Sequence, residues 1–200
     1  QKFDKELLYN IHTILRKVDN CSYNFSPYKS ALISKGPDKK PRKIAKPTIR
    51  DRVVIRALYE IICDIYQKEL SERTLHVQIK NAIEIYIDKK YDHILKYDIT
   101  EFFPSIDHEL LMKKLNRKIK KKQINSLVKS LLETPHDIDK LKGENRVYRG
   151  IAQGLAVSGT IANIYLLGFD NKIEVIGGIK YFREPLKTLH KLWRYDRILE

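Results

Sequence analysis

The chain has 200 residues, 42% hydrophobic and 32% charged, so it has the size of one domain or a pair of small ones and can bury a real core. Its formal net charge of +14 makes a field that draws in polyanions. Apolar runs such as 166–169 are far too short for a membrane span, the N-terminus has no basic-then-apolar signal pattern, and no amphipathic anchor with a lipid-facing aromatic edge is found. The expectation is a cytoplasmic protein that meets nucleic acid, with no membrane partner. Cys21 and Cys63 are the two cysteines, too few for a zinc site unaided, and in that compartment a disulfide is not expected. Cys63 lies in an apolar periodic run and reads as a buried, inert thiol.

In chain order, Phe3, Leu7, Leu8, Ile11, Ile14, Leu15 and Val18 recur at three- and four-residue spacing, which predicts an amphipathic helix over 3–18 stopped by Asp19 and Asn20. Residues 29–56 carry ten Lys and Arg against Asp38 and Asp51, with Gly36-Pro37-Asp38 as a turn signal, and read as a basic hairpin or flap. Thr48-x-x-Asp51 has capping-box spacing and opens a core helix, with Val53, Val54, Ala57, Leu58, Ile61, Ile62 and Ile65 on its apolar face, to about Leu70. A further helix is predicted over 76–90 with Ile79, Ala82, Ile83, Tyr86 and Ile87 turned inward.

Ile94, Leu95, Tyr97 and Ile99 predict a short buried strand ended by Pro104 and Ser105, with Asp98 at its exit, where sites are built. An isolated Asp beside Lys96 would be an ordinary surface acid. Ser105 or Asp107 then caps a helix over 108–118 with Leu110, Leu111 and Leu115 buried. Lys113 to Lys122 holds seven basic residues and no acid, enough to grip a phosphate backbone or simply to be solvated. Ile124, Leu127, Val128, Leu131 and Leu132 form another helix ended by Thr134-Pro135, 136–149 is a loop or hairpin, and a closely packed helix starts at Ser158.

Two stretches stand out together. Asp98-x-x-x-Phe102-Phe103-Pro104-Ser105-Ile106-Asp107 resembles motif A of the reverse transcriptase palm, especially in bacterial enzymes of the retron, group II intron and phage-defence kinds. Gly150-Ile-Ala-Gln153-Gly154-Leu-Ala-Val-Ser158-Gly-Thr-Ile-Ala162-Asn163-Ile-Tyr165-Leu166 is similar to motif B, in the right order and about fifty residues on. Arg42-Lys-Ile-Ala-Lys-Pro47-Thr48-Ile-Arg50-Asp51-Arg52-Val-Val resembles the first block of the fingers.

The resemblance implies an α+β, helix-rich fingers–palm fold with a small antiparallel palm sheet: N-terminal helix and fingers over 1–91 and an incomplete palm over 92–200, with motif A at 97–107 and motif B at 150–166; the thumb that normally follows the palm is expected to be missing. It implies RNA-directed DNA polymerisation with two Mg²⁺ ions, or Mn²⁺ in their place, held by the Asp98 carboxylate and the Ile99 carbonyl. Phe103 would exclude a 2′-hydroxyl, and Gln153 and Gly154 would touch nucleotide and template. Arg42, with Lys35 behind it, would grip the triphosphate, and Glu101 would lie near it. Lys39, Lys40, Lys43, Lys46, Arg50, Arg52, Lys113 and Lys120 are the candidates for the nucleic-acid backbone. The partners implied are an RNA template or non-coding RNA, a DNA primer and product, dNTPs, and a second copy or an accessory protein. The Tyr-x-Asp-Asp of motif C does not occur; 179–183 look like its approach, and Asp196, after Tyr195, is the weak substitute ligand. A binding or assembly module of the same fold, holding nucleic acid without extending it, is the competing expectation.

Overall fold

In a computed structural model, the described residues are 6–183, apart from 35, 38–40, 72–73, 89–90, 92, 94, 142 and 144–146. Helix α1 (Leu7–Asp19) is followed by an antiparallel hairpin of β1 (Lys29–Ile33) and β2 (Arg42–Lys46), then α2 (Ile49–Ile65), α3 (Gln67–Ser71) and α4 (Leu75–Ile87). After the 95–99 run come α5 (Phe102–Ser105), α6 (His108–Leu115), α7 (Lys122–Glu133), α8 (Asp137–Leu141) and α9 (Ser158–Glu174). The fold is α+β and helix-rich, and its small antiparallel sheet is the hairpin, paired from Lys29 with Lys46 to Ile33 with Arg42. Among the described residues no helix is long and apolar enough to cross a membrane.

The core forms where helical spacing puts branched aliphatics on one stripe. Val54, Ile55, Leu58 and Ile62 of α2 meet Leu111 and Leu115 of α6, Leu127, Val128, Leu131 and Leu132 of α7, and Ile161, Ala162 and Ile164 of α9 in one buried cluster. Each fully buried Leu or Ile contributes roughly 1.5–3 kcal/mol. The α7 stripe matches its sequence pattern residue for residue. On α2 the stripe is rotated relative to the expectation: Ile55 is buried, whereas Val53 and Ile61 are each more than a third exposed. Leu110 is likewise turned outward on α6, because Leu111 and Leu115, four apart, take the inner face.

Thr48 caps α2, its Oγ1 accepting from the Asp51 amide at 3.3 Å. Asp51 is itself buried and serves as a hub: it accepts from Tyr23 Oη at 2.8 Å, the Ser26 amide at 3.2 Å and Thr48 Oγ1 at 2.7 Å. Three donors on one carboxylate lock the 23–26 segment to the start of α2. Tyr28 does the same for α7, with its hydroxyl donating to the Leu131 carbonyl at 3.2 Å and its amide to the Pro135 carbonyl at 3.0 Å.

Two expectations are not met. Residues 95–99 form no strand; Leu95, Tyr97, Asp98 and Ile99 are exposed, because among the described residues no neighbouring strand offers its backbone to them. Instead of a strand terminus, Phe102–Ser105 make one helical turn. The α4 helix exists, but its expected inner face is largely open: Ile83, Tyr86 and Ile87 are exposed, while Ile79 and Ala82 are half-buried. Periodicity formed the helix, and among the described residues no element covers the three exposed side chains.

Two stability outcomes are expected. Asp51→Ala leaves three donors without their acceptor and lowers unfolding free energy by about 2–4 kcal/mol, read from urea titration. His136 is buried against the hairpin beside the Ser30 hydroxyl at 3.2 Å, and burial, then the charge of Lys43, hold its pKa below the ordinary 6.5. The folded state therefore resists its protonation while the unfolded chain does not. Its contribution is present above about pH 6.5 and lost as pH falls through the lowered folded value. Urea midpoints should drop on acidification over that window, and less so in His136→Asn.

Candidate functional site

Arg42, Phe103, Gln153 and Gly154 fall on three backbone segments, and the structure draws these segments together at one place. The turn at 150–154 is the middle piece. On one side its Gly150 amide donates to the Ile106 carbonyl at 2.7 Å and its Ile151 amide to the Phe103 carbonyl at 2.9 Å. His108 adds a contact of 2.6 Å from Nε2 to the Gly150 carbonyl; a carbonyl only accepts, so Nε2 carries the proton. Asp107 and Arg149 form an antiparallel bridge at the same seam.

On its other side the turn lies on the hairpin, where the Ala45 amide of β2 donates to the Gln153 carbonyl at 2.7 Å. Both faces are so close that side chains are excluded. A Cβ on Gly150 would stand 2.9 Å from the Pro104 carbonyl oxygen, and one on Gly154 2.5 Å from Ile44 Cγ2 and 3.1 Å from the Ala45 oxygen. Both glycines also have φ near +90 to +100°, at +88° and +101°, the region open to glycine and strained for other residues. Ile151, Leu155 and Val157 plug the core beneath, and Ser158 Oγ donates to the Ala152 carbonyl at 2.6 Å, closing the turn onto the first residue of α9.

Around this junction the candidates sort themselves. Phe103 is half-buried, its ring 5.9 Å from that of Phe102, which itself stands 6.3 Å from Tyr165. Both rings rest on the core, rather than pointing to opposite faces as on a strand, because they share a helical turn. Glu101 is exposed with φ of +49°, a left-handed conformation for a side-chain-bearing residue, and it makes the sharp bend into that turn. Arg42 is half-buried on β2, and its Nε is buried without a hydrogen-bond partner among the described residues. Gln153 is half-buried and Gly154 exposed beside it.

Other candidates are placed apart or already engaged. Asp98 is exposed and, with the described residues, makes no hydrogen bond or ion pair; Ile99 is 50% exposed next to it. Lys43 is tied to Asp139 in an ion pair, and Arg50 donates to Asn10 Oδ1 at 2.9 Å, so neither is wholly available to a ligand. Lys46, Arg52, Lys113 and Lys120 are exposed, with Lys120 Nζ donating to the Asn116 carbonyl at 2.8 Å. Lys35, Lys39, Lys40 and Asp196 lie outside the described residues.

Sequence reasoning missed the residues that hold this site in shape. His108 sits at the end of the stretch already singled out, but nothing in its spacing assigned it to Gly150. Asp170 is fully buried and takes a two-pronged ion pair from Arg183, Nε to Oδ1 at 2.9 Å and Nη2 to Oδ2 at 2.8 Å. Tyr181 Oη donates to Asp170 Oδ1 at 2.9 Å, and Arg183 Nη1 reaches Asn163 Oδ1 at 2.7 Å. Thus 181–183 are fastened to the α9 helix that follows the turn. No sequence interval announces such a pairing.

Comparison with known proteins agrees with the two motifs. A family model described as reverse transcriptase (RNA-dependent DNA polymerase) matches residues 33–183. The group II intron-encoded protein LtrA of Lactococcus lactis subsp. cremoris is 26% identical over 192 residues, 92% of this chain and 31% of that protein. The putative COX1/OXI3 intron 2 protein of Saccharomyces cerevisiae is 26% identical over 176 residues, 82% of this chain and 20% of its own length. Protein YkfC of Escherichia coli is 24% identical over 148 residues, 68% of this chain and 38% of its own. The chain thus spans well under half the length of each of these relatives.

Glycine substitutions test the junction. Gly154→Ala and Gly150→Ala should each lower stability by about 2 kcal/mol or more, since strain and backbone overlap combine. Gly36→Ala, with φ of +111° but no described atom within 4 Å of the added Cβ, should cost only about 1–2 kcal/mol. Thermal unfolding of the three variants checks the order.

Proposed function

Since the chain belongs to the reverse transcriptase (RNA-dependent DNA polymerase) family, we propose that it forms the fingers, 1–91, and palm, 92–200, of an RNA-directed DNA polymerase of the group II intron kind. It would add deoxynucleotides to a primer on an RNA template. The observation that carries this is the three-way junction: the Gln153–Gly154 turn joins β2, bearing Arg42, to the Phe103–Ile106 backbone. On this reading a cation, an aromatic face and an amide side chain from the three segments would meet one nucleotide. Arg42, with Lys35 behind it, would neutralise the triphosphate, Phe103 would lie under the sugar and reject a 2′-hydroxyl by bulk, and Gln153 would meet the base pair. Glu101, at the bend before Phe102, would lie near the triphosphate. Lys39, Lys40, Lys46 and Arg52 would track the template backbone. The setting proposed from the motifs is a cytoplasmic one, in a bacterial retroelement or a phage-defence system derived from one.

Phosphoryl transfer of this kind calls for divalent ions held by several carboxylates, which offset charge on the attacking and leaving oxygens. Asp98 and the Ile99 carbonyl would offer one Mg²⁺ ligand set. Among the described residues, however, no group of three His, Cys, Asp or Glu side chains is assembled. One carboxylate does not fit a two-ion site, so what these residues carry is binding and positioning. That same observation favours a second candidate, a nucleic-acid-binding or assembly module of this fold.

Primer extension separates the two. With an RNA template, a DNA primer, Mg²⁺ and labelled dNTPs, a polymerase incorporates label, and Asp98→Ala lowers the rate by about 100-fold or more, equivalent to about 3 kcal/mol. Phe103→Ala should raise ribonucleotide use relative to deoxynucleotide by about tenfold or more. RNA binding with no incorporation would select the module instead.

A further inference from the structure

Beyond the nucleotide junction, the molecule has a second feature built for polyanions, at the corner where α6 passes into α7. Lys113 to Lys122 carries seven basic residues and no acid. Lys114 folds inward, its Nζ on the Tyr165 carbonyl and 4.7 Å above that ring, and Lys118 pairs with Glu69 while lying over the Tyr66 ring at 5.1 Å. The other five, Lys113, Arg117, Lys120, Lys121 and Lys122, are exposed. Among the described residues no carboxylate pairs with any of them.

The corner is held firmly. Leu115 and Ile119 are buried beneath it, the Ile119 amide donates to the Leu115 carbonyl at 2.9 Å, and Asn125 Nδ2 donates to the Ile119 carbonyl at 3.2 Å. Five cations are therefore displayed from a fixed backbone, which reduces the ordering cost of binding. The patch also points away along α6: His108, at the start of that helix, touches Gly150, and the patch begins at Lys113, roughly 7.5 Å further along its axis, and continues beyond its end.

Two absences within the stretch decide what it fits. It contains no aromatic residue, so it offers no platform on which unpaired bases stack. Its apolar members, Leu115 and Ile119, are both buried, so nothing projects into the acyl region of a bilayer. A surface that is cationic, rigid, and free of exposed apolar or aromatic groups suits a regular sugar-phosphate backbone.

We propose that the α6–α7 corner is a second, sequence-independent docking surface for the phosphate backbone of folded, base-paired RNA, separate from the primer–template cleft. The choice of RNA over other polyanions rests on the family reading above; the surface itself does not. Arg117 and Lys113, one helical turn apart, and the Lys120–Lys122 run would contact neighbouring phosphates, so a structured RNA would be held while its single-stranded part reaches the junction.

The test is fluorescence anisotropy of the full chain with a labelled RNA hairpin, across a range of salt. The triple variant Arg117→Glu, Lys121→Glu, Lys122→Glu is compared with a charge-matched control, Arg16→Glu, Lys17→Glu, Lys180→Glu. The patch variant should bind about tenfold or more weakly near 100 mM salt, and the slope of log affinity against log salt should be shallower by about 2–3. The control should shift both far less. Acidic residues at the first turn of α7 favour that helix, so lost binding would not arise from melting it, and circular dichroism checks this. Equal losses in the two variants, or an unchanged slope in the patch variant, would overturn the proposal. So would patch-dependent binding to vesicles rich in phosphatidylserine as tight as that to the hairpin. Primer extension is read separately, so failure of polymerisation with patch-dependent RNA binding intact would count against the polymerase and not against this surface.

Discussion

The close approach of backbone to backbone at Gly150 and Gly154 is the constraint on which the rest depends. Neither face of the 150–154 turn leaves room for a Cβ, and each is sealed by short amide-to-carbonyl bonds, to Ile106 and Phe103 on one side and from Ala45 on the other. Because these contacts run through main chain, side-chain rotamers do not loosen them. The backbone at Ala45, Phe103 and Gln153 is consequently held in one arrangement.

The surrounding structure supports that joint from beneath. Leu155 and Val157 anchor the turn in the same cluster as α2, α6 and α7, so the hairpin, the Phe103 turn and the 150–154 turn share one core. Asp51 secures the start of α2 to the 23–26 segment, and Ser30 with Asp137 and Lys43 with Asp139 pin the hairpin to α8. The chain has 25 acids against 39 Lys and Arg, and several of the acids serve as internal anchors for backbone amides, hydroxyls or cations. That leaves the outer surface dominated by positive charge and suited to nucleic acid.

Polar anchoring and apolar packing divide the work differently in the second half. Asp170 and Arg183 meet in a two-pronged ion pair with no exposure on the acid, joined by Tyr181 and Asn163. Breaking one partner of such a pair leaves a buried charge, which costs far more than the pair contributes. The approach to the expected third motif is thereby fixed on α9 even though 179–183 take no strand form.

What the sequence by itself determined is everything set by local spacing. The apolar stripe of α7, the Thr48 cap, the Asp107 cap of α6, the hairpin, and the family membership carried by the 98–107 and 150–166 stretches were legible, since each depends on local residue patterns. Tertiary structure alone decided the exposure of 95–99 and of α4, because a strand or an apolar helical face is buried only when a partner from elsewhere in the chain arrives. It alone also decided that Gly150 and Gly154 are contact points and that Asp170 faces Arg183. Those depend on distances between segments, and distances between segments have no period for a sequence to display.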